Sequence, residues 1–241
     1  MKILLNCLPC HDVSKLYPIE IQDTAIYEID CEKGHKTVQI LNEAQFETLF
    51  ELGSLALLDG YTREAVSSYA SSLERFYEFC IRVLLSVHKV NYSTMNETWK
   101  MVTVQSERQL GAFYFIWLLH YKKTPPKIAQ KWVTFRNDVI HKGYIPKYDE
   151  TKQYATSLYE YMLPIIIEFK RNYTKHFEHL KDKDFLIDKY ACLSSPFVRD
   201  TYFLSKETMF NLVSSKDPLG NFDEALAMLA KRKDTLYSNS F

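Results

Sequence analysis

The chain has 241 residues with 30 basic and 30 acidic side chains, and a net charge of +0 excludes a surface that is basic all over. Hydrophobic residues at 46% and charged residues at 25% exclude a disordered chain, while 15% aromatics and only 6 glycines favour a compact helical protein over a turn-rich β one. The amino-terminal apolar run is too short for a signal peptide, and the longest later one, Phe113 to Leu119, falls far below the roughly 20 residues that span a bilayer, so a cytoplasmic protein without a membrane segment is expected.

Residues 1–41 differ from the rest. They carry Cys7, Cys10, His11, Cys31 and His35 around two β-like runs, Ala25 to Ile29 and Lys36 to Leu41. Five cysteines is an odd number for a disulfide framework, and three of them crowd the first 31 residues, which points to a local metal site. Cys7-x2-Cys10 and Cys31-x3-His35 offer two ligand pairs, and zinc takes four such ligands in a tetrahedron, two from each tight turn. With four protein ligands and no spare carboxylate, the site reads as structural zinc. The pattern resembles a zinc ribbon, with Cys31-Glu32-Lys33-Gly34-His35 similar to its second knuckle. The first knuckle, Cys7-Leu8-Pro9-Cys10-His11, lacks the usual glycine, and His11 is an alternative ligand.

Residues 42–181 read as helices. Phe46, Leu49, Phe50, Gly53 and Leu57 fall at helical spacing before Gly60, and Val66 to Val87 lays a broad apolar stripe on a second helix from about Thr62. Asn91, Ser93, Thr94 and Asn96 read as a polar loop, followed by a third helix over about Ser106 to Tyr121. Thr124-Pro125-Pro126 is a break, with Pro126 suited to the first turn of a fourth helix over about 126–142 that Gly143 and Pro146 end. A fifth helix is expected from about Glu150 to His179, with Pro164 kinking it or removing one backbone bond. Residues 182–241 form a less regular extension, with Asp217-Pro218-Leu219-Gly220 as a turn and a last helix from Phe222 to about Leu236. Cys80 and Cys192 read as core residues, and His88, His120, His176 and His179 show no convergent partners. The fold class is mainly α, a bundle of four or five helices with a small amino-terminal β module.

On the fourth helix, Ile128, Trp132, Phe135 and Val139 share a narrow core-facing stripe. Asn137 and His141 share a face pointing roughly the other way, with Arg136 between, and Val133 and Ile140 form a second apolar patch suited to a partner subunit. From Lys122 to Lys147 seven basic residues, Lys131 and Lys142 among them, stand against the single acid Asp138, a local excess suited to phosphate. Cleavage of RNA by its own 2′-hydroxyl needs a base, an acid and a cation beside the phosphorus. Histidine titrates near neutrality and suits the proton transfers; arginine's planar, permanently charged fork suits the phosphate.

Arg136, Asn137 and His141 near the end of the last core helix of a small bundle resemble the Arg-x4–6-His motif of the HEPN family. The following His141-Lys142-Gly143-Tyr144-Ile145-Pro146 is similar to members linked to phage defence, and Ser71 to Phe79 resembles the helix that packs beside the motif. The resemblance covers about residues 42–180. It implies a HEPN-type bundle and a metal-independent endoribonuclease, a toxin or antiviral abortive-infection effector. Arg136, Asn137 and His141 would be catalytic, Lys131 and Lys142 would bind RNA phosphate, and zinc at Cys7, Cys10, Cys31 and His35 would be the one cofactor. The family also implies a homodimer and a regulatory or antitoxin partner. Some members are inactive and only bind a nucleotide or a partner protein, which is the alternative. Tyr144 lies three residues past His141, not two, and so departs from the Arg-x4-His-x-Tyr variant.

Overall fold

In the computed structural model, residues 2–12, 15–176, 200–214 and 216–237 are described. The amino-terminal part is built from two small sheets. Strands β1 (Lys2–Asn6) and β2 (Leu16–Glu20) pair antiparallel with Leu4 opposite Pro18, and β3 (Ile26–Asp30) and β4 (Lys36–Leu41) pair antiparallel with Glu28 opposite Val38. Along β3 the alternation is clean: Tyr27 and Ile29 are buried, while Glu28 and Asp30 face water. Strands β1 and β2 lie outside the two β-like runs expected here, and β2 contains Pro18. In a two-stranded sheet no neighbour on the far side requires its missing N–H.

The rest is mainly helical. Helices α1 (Gln45–Leu58), α2 (Thr62–Val87) and α4 (Ser106–Tyr121) run where their apolar spacing puts them. The expected polar loop at Asn91–Asn96 is instead the start of a helix, α3 (Tyr92–Val102). Asn91 is its N-cap, its side-chain oxygen accepting the Ser93 N–H at 2.9 Å, so the polar run is one wet helical face with only Met95 buried.

Helix α5 (Gln130–His141) starts four residues later than expected. Pro126 disfavours helical geometry at Pro125, and the chain stays irregular through Ala129. Helix α6 (Tyr148–Asn172) passes through Pro164 without ending, with that proline and Glu160 exposed, where water can satisfy the freed carbonyl.

The described carboxy-terminal residues contribute to this core and to the amino-terminal sheet. Strand β5 (Thr201–Leu204) adds to β4 in parallel, Met209, Phe210 and Leu212 are buried, and helix α7 (Phe222–Tyr237) puts Phe222, Ala225, Leu226 and Leu229 into the same core. Phe50 of α1 lies with Tyr69, Tyr159, Phe210 and Phe222 around it, and Tyr159 stacks on Phe210 at 4.9 Å while its hydroxyl meets the Met209 carbonyl at 3.0 Å. Of the residues read earlier as core or solvated, Cys192 and His179 lie outside the described residues.

Candidate functional site

Two clusters carry chemistry. The first is the Cys/His group. Cys7 and Cys10 bracket a single 3-10 turn, Leu8–Cys10, closed by the Cys10 N–H on the Cys7 carbonyl at 3.1 Å. His11 takes a left-handed φ of 51° just after it, filling with a histidine the position where a glycine would be unstrained. Cys31 and His35 close the β3–β4 hairpin: the Gly34 N–H meets the Cys31 carbonyl at 2.8 Å, and Gly34 holds the φ of 80° that the turn demands.

These turns bring the donor atoms of Cys7, Cys10, Cys31 and His35 within 4.8 Å of one another. His35 Nδ1 lies 3.8 Å from Cys7 Sγ, 3.3 Å from Cys10 Sγ and 3.4 Å from Cys31 Sγ, and the Cys10 and Cys31 sulfurs are 3.7 Å apart. A zinc tetrahedron with bonds of about 2.3 Å to sulfur and about 2.0 Å to nitrogen has edges of roughly 3.5–3.8 Å, so the donor set fits a metal ion in spacing and in chemistry. His11 is exposed and stands outside this group. Burial pushes the Cys7 thiol up to about 11, and its contacts with Cys10 and Cys31 add to that. Burial also acts against the Cys31 thiolate, but backbone N–H groups of His35 and Lys33 and the neighbouring thiols bring it down to about 6. A bound cation favours the thiolate forms of its cysteine ligands and would displace their protons.

The second cluster is on α5. Val139 is fully buried, and Trp132 and Phe135 pack their rings on Tyr154 of α6 at 5.9 and 5.4 Å. That stripe fixes the roll of the helix and turns Arg136 toward α2. Its guanidinium donates to Glu74 Oε1 at 2.7 Å and to Asn137 Oδ1 at 2.9 Å, and all three side chains are part-buried. Beneath them, burial drives the Tyr154 phenol far above its ordinary range, with Arg136 opposing and Glu74 adding.

His141, the last residue of α5, is exposed. Past it, Gly143 adopts a φ of 72°, so that the Lys142 and Tyr144 N–H groups both donate to the Asp138 carbonyl at 3.1 Å. Lys142 is largely exposed and ion-paired with Asp138 at 2.7 Å, and Lys131 lies 4.7 Å above the Trp132 ring. Tyr144 hydrogen-bonds both Glu150 oxygens at 3.0 Å; the carboxylate drives that phenol up, and the Lys147 N–H followed by the Tyr144 hydroxyl draws Glu150 down.

The structure thus joins Arg136 and Asn137 with Glu74, a residue whose pairing no local pattern announced because it lies 62 positions away on α2. Val133 is exposed and Ile140 half-buried on the same helix. Of the histidines read as lacking convergent partners, His88, His120 and His176 make contacts among the described residues. His120 lies 3.3 Å from His88 and 2.7 Å from the Tyr173 hydroxyl, and His176 lies 3.2 Å from Ser86. Burial first, and then His88, hold the His120 imidazole below its usual range.

Comparison with protein-family models, curated proteins and solved structures finds no match for this chain. No described helix is long and apolar enough to cross a membrane.

Proposed function

We propose that this chain is a metal-independent endoribonuclease of HEPN type, cleaving RNA through its 2′-hydroxyl, with a structural zinc in the amino-terminal module. The observation that carries the reading is the clamp on Arg136. A guanidinium held by Glu74 and Asn137 has a fixed orientation, and its remaining N–H donors, without a partner among the described residues, can meet a phosphate. His141 lies five residues on at the exposed end of the same helix, where an imidazole can exchange protons with a substrate hydroxyl.

Lys131 and Lys142 supply outer phosphate contacts, and Asn137 orients the guanidinium. A second copy of the chain, docking on the Val133 and Ile140 patch, would bring a second Arg136 and His141 to face the first. Expression as a toxin or antiphage effector under an antitoxin partner fits such an enzyme. The inactive nucleotide-binding reading differs in one measurable respect, turnover.

The expected products are 2′,3′-cyclic phosphate and 5′-hydroxyl ends, formed in the presence of EDTA. The His141→Ala variant should lose at least about a hundredfold in cleavage rate, the usual contribution of a proton-transfer side chain. Cleavage by His141→Ala at the parental rate, or a strict need for Mg²⁺, would rule the reading out.

A further inference from the structure

The segment from Asp200 to Leu212 returns to the amino-terminal half along two tracks at once. On the first, β5 pairs with β4 in the register Val38–Thr201 to Leu41–Leu204, extended by the Val38 N–H on the Asp200 carbonyl at 3.0 Å and the Asn42 N–H on the Leu204 carbonyl at 2.9 Å. On the second, three glutamates four residues apart receive the chain that follows. Glu43 accepts the Lys206 N–H, Glu47 accepts the Thr208 hydroxyl at 2.6 Å and the Leu212 N–H at 3.0 Å, and Glu51 accepts the Met209 N–H at 3.0 Å.

The first track leans on the metal-ligand cluster. β4 is the central strand of its sheet, and its other neighbour, β3, is joined to it by the loop holding Cys31 and His35. The apolar cluster under these strands is small: Leu5, Cys7, Tyr27, Ile29, Cys31 and Leu41, with Leu204 of β5 packed against it. Two of its six buried members are metal ligands. A module with so little core draws its folding energy from the ion it binds. The edge on which β5 docks is then held by the closed ligand cluster at one end of the hairpin together with the buried Val38 and Ile40 of β4.

Resting on the zinc reading, we propose that metal occupancy of the Cys7, Cys10, Cys31 and His35 site controls the docking of residues 200–212 onto β4 and α1. The loaded site closes the β3–β4 hairpin and holds the segment. Stripping the ion loosens the hairpin, frees β5 and uncovers the carboxylates of Glu43 and Glu47, while Glu51 keeps Arg232. Because coupling is reciprocal, loosening the segment must weaken the metal by the same factor.

The experiment uses the full chain. Zinc content is measured first, on the parent and on Cys10→Ser, and hydrogen exchange of peptides covering 200–212 is then followed with zinc bound and after removal by a competing chelator. The expected result is one zinc per parent chain, with exchange in 200–212 accelerating at least about tenfold on stripping while the middle of α2 and α6 keeps its protection. In a reciprocal arm, Thr208→Val, which removes the bond to Glu47 and touches no ligand, is expected to weaken zinc by about fivefold or more in chelator competition. A parent that takes up no zinc, or a Cys10→Ser variant that holds it as tightly, overturns the metal reading and this proposal with it. Zinc that is bound and removed with exchange in 200–212 unchanged overturns the coupling alone. So does a Thr208→Val segment that exchanges faster while zinc affinity stays parental.

Discussion

Gly53 of α1 marks a close approach between α1 and α2. A Cβ built there would lie 2.9 Å from Cδ1 and Cε1 of Tyr69 and 3.1 Å from the Ala65 carbonyl oxygen. The ring cannot retreat: Tyr69 is fully buried, and its hydroxyl is anchored at 3.0 Å on Ser54, which itself donates to the Phe50 carbonyl. Alanine would gain about 1 kcal/mol of helix propensity over glycine but cost roughly 1–3 kcal/mol in overpacking, so Gly53→Ala should be destabilised by about 1 kcal/mol. A lower urea midpoint at unchanged slope is the expected reading; a higher midpoint would mean that α1 and α2 part without penalty. Gly53 stood in the sequence as one member of an apolar spacing, with nothing to say that its missing side chain was the point. The same limit applies to Arg136. Its proximity to Asn137 follows from adjacency, whereas its pairing with Glu74 depends on how α5 rolls against α2, and that roll is set by Trp132, Phe135 and Val139 acting on residues from other helices. The cluster of Cys7, Cys10, Cys31 and His35 was legible because paired donors on tight turns are a local pattern, and only the folding of the two turns toward each other is long-range.

Among the elements, α3 shows how a helix can hide. It buries only Met95, so its sequence lacks the apolar stripe that revealed α2, and its polar residues imitate a loop. What holds it is a cap and a few side contacts. Asn91 satisfies the Ser93 N–H, Arg82 of α2 donates to Asn96 at 2.7 Å, and the same guanidinium lies 5.6 Å from the Trp99 ring. Replacing Asn91 by alanine should cost about 1 kcal/mol, the usual value of such a cap. With so little packing, that loss should appear as local opening: amide exchange in α3 should speed up by about fivefold with α2 and α4 unaffected. Equal exchange in parent and variant would show that the Arg82 contacts alone hold the helix. Strand β5 was illegible for a related reason. Four residues, Thr201 to Leu204, are too few to show a period, and their strand character comes from pairing with a partner some 160 positions earlier.

At the scale of the molecule, α1 holds the carboxy-terminal segment to the bundle. Glu51 there is enclosed by the carboxy-terminal segment and held by Arg232 of α7 at 2.6 Å and the Met209 N–H at 3.0 Å. Burial raises the Glu51 carboxyl above its ordinary value, with Arg232 pulling the other way and Glu47 adding to the rise. Removing the guanidinium would leave a carboxylate in a poorly solvated place with one N–H for company, a loss on the order of 3 kcal/mol for a pair of this kind. The penalty belongs to the charged form. A group whose pKa is higher in the folded state binds its proton more readily there, so its cost is full at pH above that raised pKa and is relieved as pH falls through it. Arg232→Ala should therefore be less stable than the parent by the full amount at pH 8, and the gap should narrow steadily toward pH 5 as Glu51 takes up a proton. Urea unfolding of both proteins at the two pH values gives the difference directly. A gap that is the same at both, or below about 1 kcal/mol at pH 8, would mean that apolar packing of Phe210, Phe222 and Leu229, and not the half-buried Glu51 carboxylate, fastens the carboxy-terminal helix to the bundle.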